Sequence, residues 1–197
     1  MSGRAIARRP RAGFTVVEAL VGAALALLVL SALTAAVATG ARLLVACGAR
    51  GEAEDTAQLA LEALGFDVRR AGWDPAASGL AAVREAGADR LVLAADLDGD
   101  GAIDDTSEEI TAYRCDASAR RLSRVVGRQS MPLADGVTGC AFHYLDRDGA
   151  AMPIPTGGLD AAPRARIGAV GLDFVLVPSG LRGRSERSLL IALRTAP

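Results

Sequence analysis

The hydrophobic positions divide this chain into an uninterrupted apolar segment, an amphipathic segment and a series of short alternating runs. No charged residue occurs between Ala19 and Ala41, and at about 1.5 Å per helical residue this run is long enough to cross a bilayer. Further along, apolar residues recur at spacings of three and four, which places them on one helix face. These residues are Ala57, Ala60, Leu61, Leu64 and Val68. We therefore predict one long helix from Phe14 to about Arg70.

Glycines weaken the middle of this predicted helix. Gly40, Gly48 and Gly51 each cost roughly 1 kcal/mol relative to alanine in a helix interior, so we predict a bend or a locally melted turn there. Gly72 and Pro75 follow the amphipathic segment, and proline cannot continue a helix. The helix is therefore predicted to end before Pro75.

Beyond Pro75 the pattern changes to short runs of β-forming residues separated by turn signals. The predicted strands are Arg90–Ala94, Glu109–Arg114, Leu122–Val126, Val137–Leu145, Ile167–Val177 and Leu189–Arg194. The last two are predicted to pair as a closing hairpin. Residues 76–89 and 146–164 are predicted to be loops, with a short helix as the alternative in the first. The predicted fold class is α+β, a long N-terminal helix packed on an antiparallel sheet of about four to six strands.

Charge is distributed unevenly between the two ends of the apolar segment. The first thirteen residues hold Arg4, Arg8, Arg9 and Arg11 and no acidic residue, whereas the first charge after the apolar segment is Arg42. The positive-inside rule then keeps the N-terminus cytoplasmic and sends the remainder outward, into the periplasm if the source is a bacterium. The formal net charge of −1 offers no basic field for nucleic acid.

A single carboxylate, Glu18, lies at the head of the apolar segment. A carboxylate near the middle of a membrane helix costs about 2.5–3.5 kcal/mol on insertion scales, so Glu18 calls for a functional explanation and a partner. An ordinary secretory signal cleaved after Ala38 is one alternative, because Ala36-Val37-Ala38 resembles a small-residue cleavage site. The apolar segment is longer than the usual signal core, and a disposable signal has no use for Glu18.

The segment Gly13-Phe14-Thr15-Val16-Val17-Glu18, after a short basic leader and before an apolar run, resembles the prepilin signal of type IV pilins and type II secretion pseudopilins. The resemblance implies that a membrane-embedded prepilin peptidase cleaves after Gly13 and methylates the new N-terminus, Phe14. It also implies that Glu18 of one subunit meets the Phe14 amine of a neighbour in a filament. Opposite charges about 4 Å apart attract by roughly 4 kcal/mol at an effective dielectric of 20.

The end of the predicted helix, Arg69-Arg70-Ala71-Gly72-Trp73, resembles that of PilW-type minor pilins and, more distantly, the J-type minor pseudopilin. The family implies a leader (residues 1–13), a transmembrane helix and filament core (14–41), an amphipathic helix half (42–72) and a β-rich periplasmic head (73–197). Its implied function is structural, in priming or at the tip of a pilus or pseudopilus. The implied partners are the prepilin peptidase, major and minor pilins and the inner-membrane assembly platform.

An acidic stretch, DLDGDGAIDD, suggests a calcium loop. Asp96, Asp98, Asp100 and Asp104 occupy positions 1, 3, 5 and 9 of an EF-hand pattern, but position 12 is Ser107. Glu108 or Glu109 could replace the missing ligand. The alternatives are a calcium site and an acidic hairpin tip whose charges are solvated. If the acidic stretch is a calcium site and the N-terminus is an ordinary signal peptide, the chain would be a secreted calcium-binding protein.

The cysteines and the single histidine suggest structural roles. Cys115 and Cys140 lie in or beside predicted strands, in a compartment that permits disulfides, and are predicted to pair. Cys47 lies near the membrane end of the helix and is predicted to be free. His143 is predicted to be structural, and the common hydrolase, metalloprotease and phosphate-binding motifs do not occur in the sequence. We therefore predict that the chain is not an enzyme and needs no cofactor other than possible calcium.

Overall fold

The computed structural model describes residue 13, residues 15–177 and residues 185–193. It divides into two compact units, one extending to Cys47 and the other starting at Gly48. The α+β class is confirmed, because a long N-terminal helix is followed by antiparallel β-sheets. The predicted leader, apart from Gly13, and Phe14 lie outside the described residues.

Helix α1 (Val16–Arg70) contributes to both units. Its most apolar 18-residue window has a mean hydropathy of 2.5 and is 0% buried within the chain, so α1 is long and apolar enough to cross a membrane. The predicted melted turn is wrong, because α1 remains helical through Gly40, Gly48 and Gly51. Helix propagation is cooperative, and isolated glycines lower the stability of such a helix without ending it.

The C-terminal end of α1 is set by a glycine in the left-handed region. Gly72 has a φ of 76°, and the amide of Trp73 returns to the carbonyl of Arg70. The Asp74 carboxylate then accepts the backbone N–H groups of Gly79 and Leu80. These bonds order the connection between α1 and the first strand.

The first sheet is an antiparallel meander of five consecutive strands in the order β1-β2-β3-β4-β5. Its strands are β1 (Val83–Ala86), β2 (Arg90–Ala94), β3 (Ile110–Asp116), β4 (Arg121–Val126) and β5 (Gln129–Asp135).

The second sheet has four antiparallel strands in the order β7-β6-β8-β9. Its strands are β6 (Val137–Asp146), β7 (Ala151–Met152), β8 (Ile167–Leu176) and β9 (Ser185–Ala192), and a short helix, α2 (Ala161–Arg164), lies between β7 and β8. The predicted pairing of the last two strands is confirmed, with Leu172 opposite Leu189. The predicted end of β9 at Arg194 lies outside the described residues.

One hydrophobic core joins both sheets to the C-terminal part of α1. The predicted helix stripe is confirmed: Ala57, Ala60, Leu64 and Val68 are fully buried, and Leu61 packs at the edge of the core. The largest buried side chains of the sheets complete it, namely Tyr113, Phe142, Tyr144 and Phe174. The buried stripe of α1 from Ala57 to Val68 is therefore part of the second unit, which starts at Gly48 and is called the β-rich unit below.

The prediction of a single sheet with four to six strands is wrong, since the described residues form two sheets with nine strands in all. Residues 76–89 were predicted to be a loop but contain β1, and residues 146–164 contain β7 and α2. β1 and β7 are only four and two residues long, too short for a periodic pattern. β5 contains Pro132 and is mostly exposed, so its strand conformation depends on pairing with β4.

Candidate functional site

The N-terminal motif lies immediately before and within the first turn of α1. Gly13 is exposed and precedes the helix, and Thr15 caps it by accepting the Glu18 amide at its hydroxyl, 3.2 Å away. Glu18 thus occupies the third helical position, where a carboxylate also interacts favourably with the helix dipole. The pairing of Thr15 and Glu18 resembles a capping box, a local role that the sequence analysis overlooked. Phe14, the predicted site of methylation, lies outside the described residues.

The apolar side chains that follow Glu18 are not covered by any described part of the chain. Valine and leucine side chains along the first unit are more than half exposed, for example Leu28 at 67% and Val29 at 69%. Burying a side chain of this size gains about 1.5–3 kcal/mol, so a continuous exposed set of them requires an apolar environment. A lipid bilayer or other apolar helices would supply it.

The acidic loop is organised around the carboxylate of Asp96, which is buried. Its Oδ1 accepts the amide of Gly99 at 2.7 Å, and its Oδ2 accepts the amide of Gly101 at 2.9 Å. Both glycines adopt a φ of 80°, which lets the backbone turn back toward Asp96. The loop between β2 and β3 is therefore folded around a carboxylate.

Glu109 approaches the same carboxylate from the end of the loop. It accepts the amides of Asp104 and Leu97, both at 2.9 Å, and these bonds hold the pKa of Glu109 below its ordinary value. Asp96, Asp98 and Glu109 each offer an oxygen atom, and these atoms lie within 4.8 Å of one another. Three convergent carboxylates of this kind are typical oxygen ligands of Ca²⁺.

Asp100 and Asp104 do not belong to this group of three. Asp100 accepts the amide of Ala102, and Asp104 accepts the amide and hydroxyl of Thr106. The bonds to Thr106 lower the pKa of Asp104. Of the four predicted ligands the structure brings together Asp96 and Asp98. The third member of the group is Glu109, one of the two residues that the sequence offered as a replacement for Ser107. Calcium binding itself stays a prediction.

If the loop binds calcium, the protein should be more stable in millimolar calcium than in chelator. At a hundredfold excess over the dissociation constant the gain is about 2.7 kcal/mol. Asp98→Asn should remove the gain, because Asp98 is the exposed member of the group. Asp100→Asn, in the same loop but outside the group, is the matched control. Thermal melting of the full chain in a non-ionic detergent measures the effect, and equal melting temperatures of the wild type with and without calcium would leave only a folded acidic turn.

A buried ion pair between α1 and the first sheet was not predicted from the sequence. The Asp67 side chain is 1% exposed, and Arg124 on β4 donates to both of its oxygens, at 2.6 and 2.9 Å. The Tyr113 hydroxyl on β3 donates to the same carboxylate. Burial, followed by the Asp67 charge, raises the pKa of Tyr113, and the bond to Asp67 raises the pKa of Arg124. Tyr113 and Arg124 therefore both keep their protons, as their bonds to Asp67 require.

The cysteines predicted to pair lie on different sheets. Cys115 on β3 and Cys140 on β6 form a disulfide with a Cα–Cα distance of 5.7 Å, within the usual range. The bond joins the first sheet to the second near the edge of the core. Cys47 is free and exposed.

His143 takes part in a polar cluster on the second sheet. Its Nδ1 lies 3.4 Å from Asp173 Oδ2, and the Ser188 hydroxyl donates to Asp173 Oδ1. The ring also covers Gly171, where an added Cβ would lie within 2 Å of the imidazole. In nucleophilic catalysis the serine hydroxyl donates its hydrogen bond to the imidazole. Here the Ser188 hydroxyl donates to the Asp173 carboxylate instead. The prediction that the chain is not an enzyme stays a prediction.

No protein-family profile matches this sequence, and no curated protein matches it either.

Proposed function

We propose that this chain is a minor pilin or pseudopilin, synthesised as a prepilin and cleaved after Gly13. α1 would hold the cleaved subunit in the inner membrane, with the β-rich unit in the periplasm. The subunit would then enter a type IV pilus or a type II secretion pseudopilus, where its role would be structural, in priming or at the tip. The partners would be a prepilin peptidase, other pilins and an assembly platform in the membrane.

The observation that carries the proposal is the position of the prepilin-like motif on a helix with two different halves. The motif, Gly13 to Glu18, opens α1. The first half of α1 exposes apolar side chains, whereas the second half buries Ala57, Ala60 and Leu64 against β-sheets. One half therefore suits a membrane or a bundle of helices, and the other half belongs to a folded head.

The location of the two candidate cleavage sites also favours the prepilin interpretation. A peptidase binds the residues around the scissile bond in an extended form. A helix that contains this bond must therefore unwind before it can be cleaved. The bond after Gly13 precedes α1, whereas the bond after Ala38 lies well inside it. Cleavage after Ala38 would also remove Glu18 from the mature protein, so this carboxylate would have no function there.

The mature N-terminus tests the proposal. When the full chain is produced together with a prepilin peptidase, mass spectrometry should find Phe14 at the N-terminus, carrying one additional methyl group. Gly13→Leu should leave the uncleaved precursor in the membrane, because the peptidase cuts directly after this residue.

Gly22→Leu is the matched control, since Gly22 lies within α1 and an added Cβ there meets no described atom within 4 Å. It should be processed like the wild type. An intact Met1 N-terminus in the wild type would contradict the proposal. An N-terminus at Thr39 would instead support a secreted protein with an ordinary signal peptide, for which the group Asp96, Asp98 and Glu109 suggests calcium binding.

A further inference from the structure

A cavity of about 450 Å³ in the β-rich unit collects arginines from three separate parts of the chain. Arg84 comes from β1, Arg147 from the turn after β6, and Arg164 from α2. The volume falls in the range of small-molecule binding sites, about 300–1,000 Å³.

The fold brings these three arginines together by specific contacts. α2 packs against β1, which places Arg164 beside the strand that carries Arg84. The turn with Arg147 is closed by Asp146, whose Oδ1 accepts the amides of Asp148 and Ala150. Gly168 lets β8 approach this turn closely, because a Cβ at that position would lie 2.8 Å from the Arg147 Cα.

The three guanidinium groups are poorly neutralised by the described part of the chain. No aspartate or glutamate is among the described residues that line the cavity. Among the described residues Arg84 pairs with Asp105 alone, at 3.7 Å and at an exposed position, and Arg147 donates to the carbonyl of Ala165 at 3.4 Å. Exposed pairs of this kind contribute about 0–1 kcal/mol. Positive charges gathered around one cavity repel one another unless an anion lies between them.

Two carboxylates next to the cavity wall, those of Asp74 and Asp146, are engaged elsewhere. Asp74 accepts the backbone amides of Ser78, Leu80 and Gly79, and these bonds lower the pKa of its carboxyl. Leu80 and Gly79 belong to the cavity wall. Asp146 closes its own turn and lies 3.6 Å from Arg166, which does not line the cavity.

The rest of the wall is apolar, formed by Leu80, Val83, Ile167 and Leu193 together with small alanine and glycine residues. An inorganic ion without an organic part would leave this apolar surface exposed to water. An organic body that carries the anionic groups would cover it and gain about 25 cal/mol per Å² of apolar area removed from water.

We propose that this cavity binds a small organic anion that carries two or more carboxylate or phosphate groups. Arginine suits such a ligand, because its planar guanidinium donates two parallel hydrogen bonds to one oxyanion and stays charged at any physiological pH. Three arginines on different elements fix the spacing of the anionic groups. The site is separate from the prepilin motif and does not depend on cleavage or filament assembly.

Isothermal titration of the full chain in a non-ionic detergent and chloride buffer tests this proposal. Citrate is the carboxylate probe and fructose 1,6-bisphosphate the phosphate probe, with inorganic phosphate at equal ionic strength as the probe without an organic body. At least one organic probe should bind saturably, at least about tenfold more tightly than inorganic phosphate. Arg164→Gln and Arg147→Gln should each weaken that binding by roughly ten- to a hundredfold, since each removes a charge-assisted hydrogen bond.

Arg128→Gln is the control, because Arg128 is an exposed arginine outside the cavity lining. It should bind the probe like the wild type. Unchanged circular dichroism and melting of the ligand-free variants would show that the substitutions leave the fold intact. The proposal is overturned if neither organic probe binds saturably, if inorganic phosphate binds as tightly as they do, or if Arg164→Gln and Arg147→Gln retain wild-type affinity.

Discussion

Asp67→Ala should lower the free energy of unfolding of the β-rich unit by about 3–5 kcal/mol, the usual cost of removing one member of a buried ion pair. The substitution leaves the Arg124 guanidinium, whose side chain is only 18% exposed, without its bidentate partner. It also leaves the Tyr113 hydroxyl, which lies in the core, without its acceptor. The unpaired guanidinium and the unpaired hydroxyl both weaken the same contact between α1 and the first sheet.

Chemical denaturation of the full chain in detergent measures this effect, and Asp55→Ala is the matched control. Asp55 is an exposed aspartate on the same helix, and its removal should change stability by less than about 0.5 kcal/mol. Replacing Asp67, Tyr113 and Arg124 together by apolar residues of similar volume should recover much of the loss, because the desolvation of the charges then disappears as well. If Asp67→Ala is as stable as Asp55→Ala, the ion pair does not hold α1 to the sheet.

If the chain is cleaved and assembled as proposed, Glu18→Gln should leave insertion and cleavage intact while assembly into filaments falls by one to two orders of magnitude or more. Glutamine keeps the shape of the side chain but cannot pair with the amine at Phe14 of a neighbouring subunit. The attraction lost is roughly 4 kcal/mol for charges about 4 Å apart at an effective dielectric of 20. Membrane fractionation, mass spectrometry of the N-terminus and the yield of sheared filaments separate the three steps.

Thr15→Ala distinguishes intermolecular pairing from helix capping. The Thr15 hydroxyl accepts the Glu18 amide, so its removal weakens the first turn of α1 by about 1 kcal/mol and leaves the carboxylate in place. If Glu18 acts through its charge, Thr15→Ala should assemble nearly like the wild type. Equal assembly defects in the two variants, or normal assembly of Glu18→Gln, would mean that the pairing hypothesis is wrong.

The long elements could be predicted from the sequence because their patterns are long and regular. The stripe that includes Ala57 and Leu64 gives the buried face of α1, and β8 begins at Ile167 as predicted and ends at Leu176, one residue before the predicted end. β1, β5 and β7 could not be predicted in this way. They are short or exposed, and pairing with a neighbouring strand defines them more than their own residues do.

The Asp67 contact shows what a pattern of polar and apolar positions omits. Asp67 follows Leu64 by three residues and precedes Val68, which places it on the edge of the apolar stripe. A charge in that position signals a buried partner, but the sequence does not say which arginine supplies it. Arg124 lies 57 residues away and reaches Asp67 only through the order of the strands. The same limit applies to Arg84, Arg147 and Arg164, which become neighbours only in the folded chain.

The disulfide between the sheets also changes what a single proteolytic cut can do. Cys115 and Cys140 close a loop that contains the whole of β4 and β5, with the exposed Arg128 at the turn between them. A trypsin-like cut at Arg128 leaves α1 on one fragment and the second sheet on the other, and the disulfide still connects them. A nicked chain therefore stays in one covalent piece and keeps its second sheet attached to the fragment that contains α1, whereas reduction after the cut leaves only non-covalent contacts between the two fragments.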